Sequence, residues 1–425
     1  MPAYLQKAAA PDNQSHQNLH EAYTSRVSYL DGLRGYASLI VFISHFLEPF
    51  VSAKRFGYGF GENNCFLQLP IIRILYSGVP MVALFFIIYG YALSYKHFLA
   101  LRHHPAADLS DTLASAIFRR GIRLFLPTIV STFLVMITVR LHIHDSPDYT
   151  TLPGVIETRP HRFTSGRDQV VDWSRFVVTE LTNPWDWRIR EYAYDSHLWT
   201  IPIEFRASLI LFLLLTCTLK IHRLHRLAIS AALWAYCVRY GKWHVALFIC
   251  GMSFADFAVA SGSTTAHSHR YWRVTGCLVP LLMGSLLLSF PVRNGDKTPS
   301  YVWLSQITAN CYTWHAFGAM LVLWALENSV ILQRAFVSSF ARYLGKISYA
   351  LYIVHGPALH SVGYGITSYL CRFCEETNLS HHIGLFLSSC LVAPVVFWWA
   401  DVFERLVDGP TVKLARWLYG KVRAE

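Results

Sequence analysis

Apolar runs of about twenty residues recur down the chain, each closed by a polar, basic or turn-forming stretch. A run of that length crosses a bilayer as a helix rising 1.5 Å per residue. The pattern predicts ten spans, at 33–52, 71–95, 123–143, 198–218, 225–240, 243–261, 272–291, 306–326, 346–369 and 383–403. Only Arg239 to Trp243 separates the fifth from the sixth. The expected fold class is an all-α polytopic integral membrane protein of about ten transmembrane helices. One long non-cytosolic loop, 145–197, is the only sizeable piece outside the bilayer. Its Trp173, Trp185 and Trp187 are interleaved with Asp186, Asp195 and arginines, a mixture that suits the membrane–water interface or the mouth of a cavity. Three divisions follow: a disordered tail over 1–26, a membrane domain over 27–404 and a second tail over 405–425.

Composition agrees with the pattern. Of 425 residues, 53% are hydrophobic and 15% charged, where a soluble chain carries about 25% charged residues. The net charge of +11 does not point to nucleic acid, because Lys and Arg punctuate the apolar runs rather than gather on one polar stretch. An even number of spans puts both termini on one side. That side carries 20 Lys/Arg, against 8 in the short connections opposite, so both termini are expected in the cytosol. Residues 1–26 contain no apolar core of a cleavable signal peptide. Asn378-Leu379-Ser380 is a glycosylation acceptor in a loop expected on the lumenal side. The nine cysteines are scattered, and Cys371 and Cys374 followed by His381 and His382 lack the histidine separation of a zinc site, so no metal is expected.

Phosphate-binding, dinucleotide, nucleophile-elbow and His-Glu-x-x-His motifs are absent. A His144-x-x-x-Asp148 pair occurs just past a span, where chance explains it in a chain with 20 histidines. What remains is a set of polar residues at span positions: Arg34, His45, Glu204, Arg206, Asp256, His315, His355, His360 and Asp401. Such groups are costly in a bilayer and mark function by default. Arg34 and His45 are eleven residues apart, close to one helix face and roughly 16 Å along the axis. His45 is expected about halfway through the bilayer, level with Glu204, whose carboxylate would fix the imidazole tautomer and make a better base. Arg119, Arg120 and Arg123 enter the third span from the cytosol and, with Arg34, would form a mouth suited to phosphates. The same residues also fit ion pairs within a bundle and charge anchors. They fit a proton-coupled transporter too, although no paired, Gly/Pro-broken halves are visible.

Taken in order, these stretches resemble membrane acyltransferase family 3. Leu30-Asp31-Gly32-Leu33-Arg34-Gly35 running to His45 is similar to the family's opening with its Arg-x10-His signature. Phe85-Phe86-Ile87-Ile88-Tyr89-Gly90-Tyr91 looks like its Phe-Phe-x-x-Ser-Gly-Phe, with Tyr89 standing where the family has Ser. Arg119 to Pro127, His197 to Phe205 and Leu344 to His355 resemble three further motifs, so the likeness covers almost the whole chain. The resemblance implies an enzyme that moves an acyl group, most often acetyl, from cytosolic acyl-CoA to a hydroxyl, with no bound cofactor. It implies His45 as general base and Arg34, Arg119, Arg120 and Arg123 as acyl-CoA contacts. Glu204 is the expected partner of His45, and Trp199, Tyr349, His355 and Tyr89 are expected to line the acceptor pocket. The bare, aromatic-rich layout is similar to fungal members that acylate small hydrophobic metabolites, which implies an endoplasmic reticulum membrane protein. Surface glycan is the alternative acceptor.

Overall fold

The structure, a computed structural model, describes residues 13–61, 64–103, 109–144, 154, 157–261, 270–377 and 380–423. Among these residues the chain is helical, with no strand. Helices α1 (Asn13–Leu47), α2 (Gly78–His103) and α3 (Ser110–Arg140) lead into a long connection holding α4 (Gly166–Phe176). Helices α5 (Thr200–Thr218), α6 (Arg223–Arg239), α7 (Trp243–Ser261) and α8 (Arg270–Leu288) follow. A short turn, α9 (Val302–Ser305), precedes α10 (Cys311–Glu327), and another, α11 (Val330–Gln333), precedes α12 (Ser339–Ala358). Helices α13 (Tyr364–Glu376), α14 (His381–Phe403) and α15 (Gly409–Val422) complete the chain.

Every apolar run of the sequence overlaps one of these helices, but fewer of them qualify as spans. Among the described residues, five segments are long and apolar enough to cross a bilayer: Gly78–His103, Ser110–Arg140, Ser196–Thr218, Trp243–Ser261 and His381–Val422. A sixth is added if α10 is joined to Val330–Phe336 across a 104° bend. Helix α6 has only 17 residues, and the apolar part of α8 runs only from Thr275 to Leu288. Helices α1 and α12 carry polar side chains, Arg34 and His45 on one, Ser348 and His355 on the other.

Two boundaries differ from expectation. Helix α1 begins at Asn13, inside the segment expected to be disordered, and ends at Leu47 rather than near residue 52. His45 therefore lies in its last turn, not midway along a span. The C-terminal tail continues as a π turn, Glu404–Asp408, and then α15. Residues 1–12, Asp148 and Asn378 lie outside the described residues.

Helix α1 packs along α12, α2 along α7 and α8 along α10. Glycine permits the first two approaches. A Cβ on Gly35 would stand 2.5 Å from the Gly345 nitrogen, and one on Gly345 would stand 2.6 Å from the Asp31 oxygen. Gly90 and Gly251 play the same part where α2 meets α7. Small residues let helix backbones close up in apolar surroundings. The long connection is pinned to the bundle by Arg206 of α5, which is buried and donates to the carbonyls of Pro184 (2.9 Å) and Asp186 (2.7 Å). Its guanidinium lies 3.8 Å from the Trp187 ring. Trp173 donates from Nε1 to Thr132 of α3 at 3.2 Å, while Trp185 is exposed.

Candidate active site

The structure gathers histidines at the end of α1. The rings of His45 and His197 are 3.9 Å apart between centroids, His197 and His355 4.5 Å, and His45 and His355 5.4 Å. His197 comes from the short 3-10 turn Ser196–Trp199 that leads into α5. His355 comes from the last turn of α12. Gly356 makes this possible, because a Cβ there would lie 2.5 Å from His197 Nδ1.

Glu157 is the hub of the cluster. Its Oε1 accepts from His45 Nδ1 and from His197 Nε2, each at 3.1 Å, and its Oε2 accepts from His360 Nε2 at 3.2 Å and Ser196 Oγ at 2.7 Å. Pro357 and a π turn over Leu359–Gly363 help to bring His360 there. Residues five apart stand about 140° apart around an α-helix, and the wider π turn narrows the angle between His355 and His360. The carboxyl of Glu157 is pushed up by burial, but the charge of His197 and the hydrogen bonds from His197, His360 and His45 outweigh that. Together they hold it well below the usual carboxylate range. Asp195 caps the 3-10 turn, and its Oδ1 also takes His197 Nδ1 at 2.8 Å. Both nitrogens of His197 thus face carboxylate oxygens, which only accept, so both donate.

These contacts fix the tautomer of His45. With Nδ1–H donated to Glu157, the Nε2 lone pair is left to take a proton. His355 is set the same way, since Nδ1 donates to the Leu351 carbonyl at 3.0 Å. Its buried Nε2 has no hydrogen-bond partner among the described residues. One nitrogen from each of His45, His197 and His355 lies within 4.8 Å of the others, a set able to hold a metal ion. The two carboxylates on His197 already account for its orientation without one. Of the cysteine and histidine pairs in the sequence, Cys371 and Cys374 are buried free thiols, Cys371 Sγ donates to the His381 backbone carbonyl at 4.0 Å, and the His381 ring turns to Glu375 at 2.8 Å.

Glu204 is not beside His45. It lies seven residues further along from His197 and pairs with Arg120 at 2.5 Å, and Arg120 also donates to Ser208 at 3.0 Å. The expected level was wrong because α1 ends at Leu47, which sets His45 against the start of α5 rather than its second turn. Arg120, Arg123 and Arg34 all act on Glu204 electrostatically, so the cationic cluster has a carboxylate in it. Arg34 ties α1 to α12 through Ser348 Oγ (2.8 Å) and the Gly345 carbonyl (3.1 Å). Arg123 is exposed, and Arg119 bends back to the Ser115 carbonyl of its own helix at 3.0 Å.

Between the arginine cluster and the histidine cluster lies a narrow cavity of about 20 Å³. Tyr89, Tyr349, Glu204 and Ser348 line it towards the arginines, and Thr200 and Tyr352 towards the histidines. The Tyr352 hydroxyl is 2.6 Å from both Thr200 Oγ1 and the His197 carbonyl. Tyr349 donates to the Leu124 carbonyl at 2.7 Å. The expected acceptor pocket is therefore divided: Tyr89 and Tyr349 line this cavity, His355 belongs to the histidine cluster, and Trp199 ends the 3-10 turn.

A family model described as an acyltransferase domain, of acyltransferase family 3, matches residues 27–405. The chain belongs to this family. It is an acyltransferase. O-acetyltransferase PaAT-1 of Phomopsis amygdali is 28% identical over 437 residues, covering 93% of this chain and 85% of that one. Acyltransferase R4 of Phoma sp. is 28% identical over 456 residues, covering 93% and 96%. Acyltransferase clz18 of Cochliobolus lunatus is 27% identical over 448 residues, covering 92% and 95%. No solved structure matches. Family membership sets aside the transporter reading. Glu157 and Asp195 were missed because they sit in a long polar loop with no local motif; the odd density of acids beside His197 was the available signal.

Proposed function

We propose that the protein is a multi-pass endoplasmic reticulum enzyme that transfers acetyl from acetyl-CoA to a hydroxyl of a small hydrophobic metabolite. Both termini face the cytosol, and the 145–197 loop faces the lumen. The observation that carries the reading is the hydrogen bond from His45 Nδ1 to Glu157, which leaves Nε2 as a base. Exposed Arg123 on the cytosolic side suits the phosphates of CoA by bidentate, charge-assisted contact. Arg34 and Arg120 hold that end of the path in shape through Ser348 and Glu204.

The acceptor hydroxyl loses its proton to His45 Nε2 as its oxygen bonds to the thioester carbonyl carbon. The tetrahedral adduct collapses, the C–S bond breaks, and His45 returns the proton to the leaving thiolate. Base catalysis of this kind contributes about 10²–10⁴-fold. Exclusion of water from the cavity protects the thioester from hydrolysis. The name of the PaAT-1 relative supports acetyl and oxygen as donor and acceptor types. Membranes holding the protein, given radiolabelled acetyl-CoA and a host metabolite extract, should yield a labelled ester that alkali cleaves. A label on polysaccharide instead would move the acceptor to a glycan, and no labelled product at all would refute the reading.

A further inference from the structure

The aromatic cavity between the two clusters supplies no reacting group to the chemistry above beyond shielding the thioester, yet it lies on the path that the donor reading requires from the arginines to His45. Its lining touches both ends of the path. Ser348 and Glu204 are bonded to Arg34 and Arg120, while Tyr352 is bonded to the turn that carries His197. On helix α12, Ser348, Tyr352 and His355 follow one another within two turns. An acyl group travelling from the arginines to His45 enters this cavity first. Its 20 Å³ is room for a water molecule or two, and its walls are Phe85, Phe86, Tyr89, Tyr349 and Tyr352.

Tyr89 is the wall residue that faces the arginine end of the cavity. Its ring is held on two sides, stacked on Phe85 at 6.4 Å and under the Arg120 guanidinium at 5.2 Å. Arg120 is in turn fixed by Glu204 and Ser208. A ring clamped this way does not yield cheaply to a longer chain, since closely packed interiors transmit strain rather than absorb it. We propose that Tyr89, with Phe85, sets the acyl length of the donor, admitting acetyl and rejecting chains of several carbons. This rests on the acyl-CoA donor reading above and names the specificity of that site.

The test measures binding to detergent-purified protein of CoA, acetyl-CoA, butyryl-CoA and octanoyl-CoA by calorimetry, for wild type, Tyr89→Ser, Phe85→Ala and Tyr89→Phe. A hydrophobic pocket discriminates by about tenfold or more for a mismatch in chain size. Wild type should therefore bind octanoyl-CoA at least tenfold more weakly than acetyl-CoA. Tyr89→Ser and Phe85→Ala should each erase most of that difference, while Tyr89→Phe, which keeps the ring, should retain it. Should Tyr89→Ser fail to fold, Phe85→Ala carries the same test. If wild type binds CoA and acetyl-CoA and the widened variants keep the same ratio, the gate is wrong and the donor reading stands. If wild type does not bind CoA at all, the donor reading fails and the gate falls with it.

Discussion

Glu157→Gln is the most informative change to the histidine cluster. The side chain keeps its shape but loses its charge, and one of its two accepting oxygens becomes a donor that faces imidazole N–H groups. Four contacts are at stake, to His45, His197, His360 and Ser196. Only the one to His45 Nδ1 bears on the proton transfer. A hydrogen bond to a charged group contributes about 1.5–3 kcal/mol, which is roughly 10- to 150-fold in rate at 1.36 kcal/mol per decade. The expected result is a fall of that size in kcat with the KM for acetyl-CoA little changed, because the arginine cluster is bound to other partners. The assay is initial rate against acetyl-CoA concentration on purified protein, with monodisperse yield as the folding control. Stability should report the same carboxylate. Its folded-state carboxyl is held well below the ordinary range, so the stabilisation is complete above the unfolded value of about 4.3 and is lost as pH falls through the lower folded one. The Tm gap between wild type and the variant should be flat near neutrality and shrink below about pH 4. A folded Glu157→Gln protein with kcat within twofold of wild type would refute the assignment of Glu157 as the positioning group.

Three further outcomes are expected. His45→Ala, His45→Asn and His45→Gln should each lose at least about a hundredfold in turnover at saturating acetyl-CoA; near-normal rate in Asn or Gln would remove His45 from the chemistry. Arg123→Ala should raise the apparent KM for acetyl-CoA by about tenfold or more through one lost charge-assisted contact, while an unchanged KM would make it a topology anchor. Gly356→Ala should push His197 off its carboxylates, since the new Cβ stands 2.5 Å from Nδ1; a fall in kcat with retained acetyl-CoA binding checks this, and full activity would show that the turn simply moves aside.

The sequence alone determined the all-helical, membrane-like class, the apolar runs that lie in helices, and the family. Those are local matters: runs of apolar residues and a short, ordered set of motifs specify them without reference to folding. It also carried the glycines of Asp31-Gly-Leu-Arg-Gly35 and Gly345, although what they are for appears only where α1 and α12 touch. Which carboxylate serves His45 was decided by tertiary structure. Counting residues down two helices put Glu204 at its level, but that count assumed where each helix meets the membrane. Helix α1 starts earlier and stops at Leu47, and the loop then folds back to deliver Glu157 from 112 positions away. Glu204 goes to Arg120 instead, 84 positions away. A buried charge takes the opposite charge that packing brings within reach, and only the folded chain determines which that is.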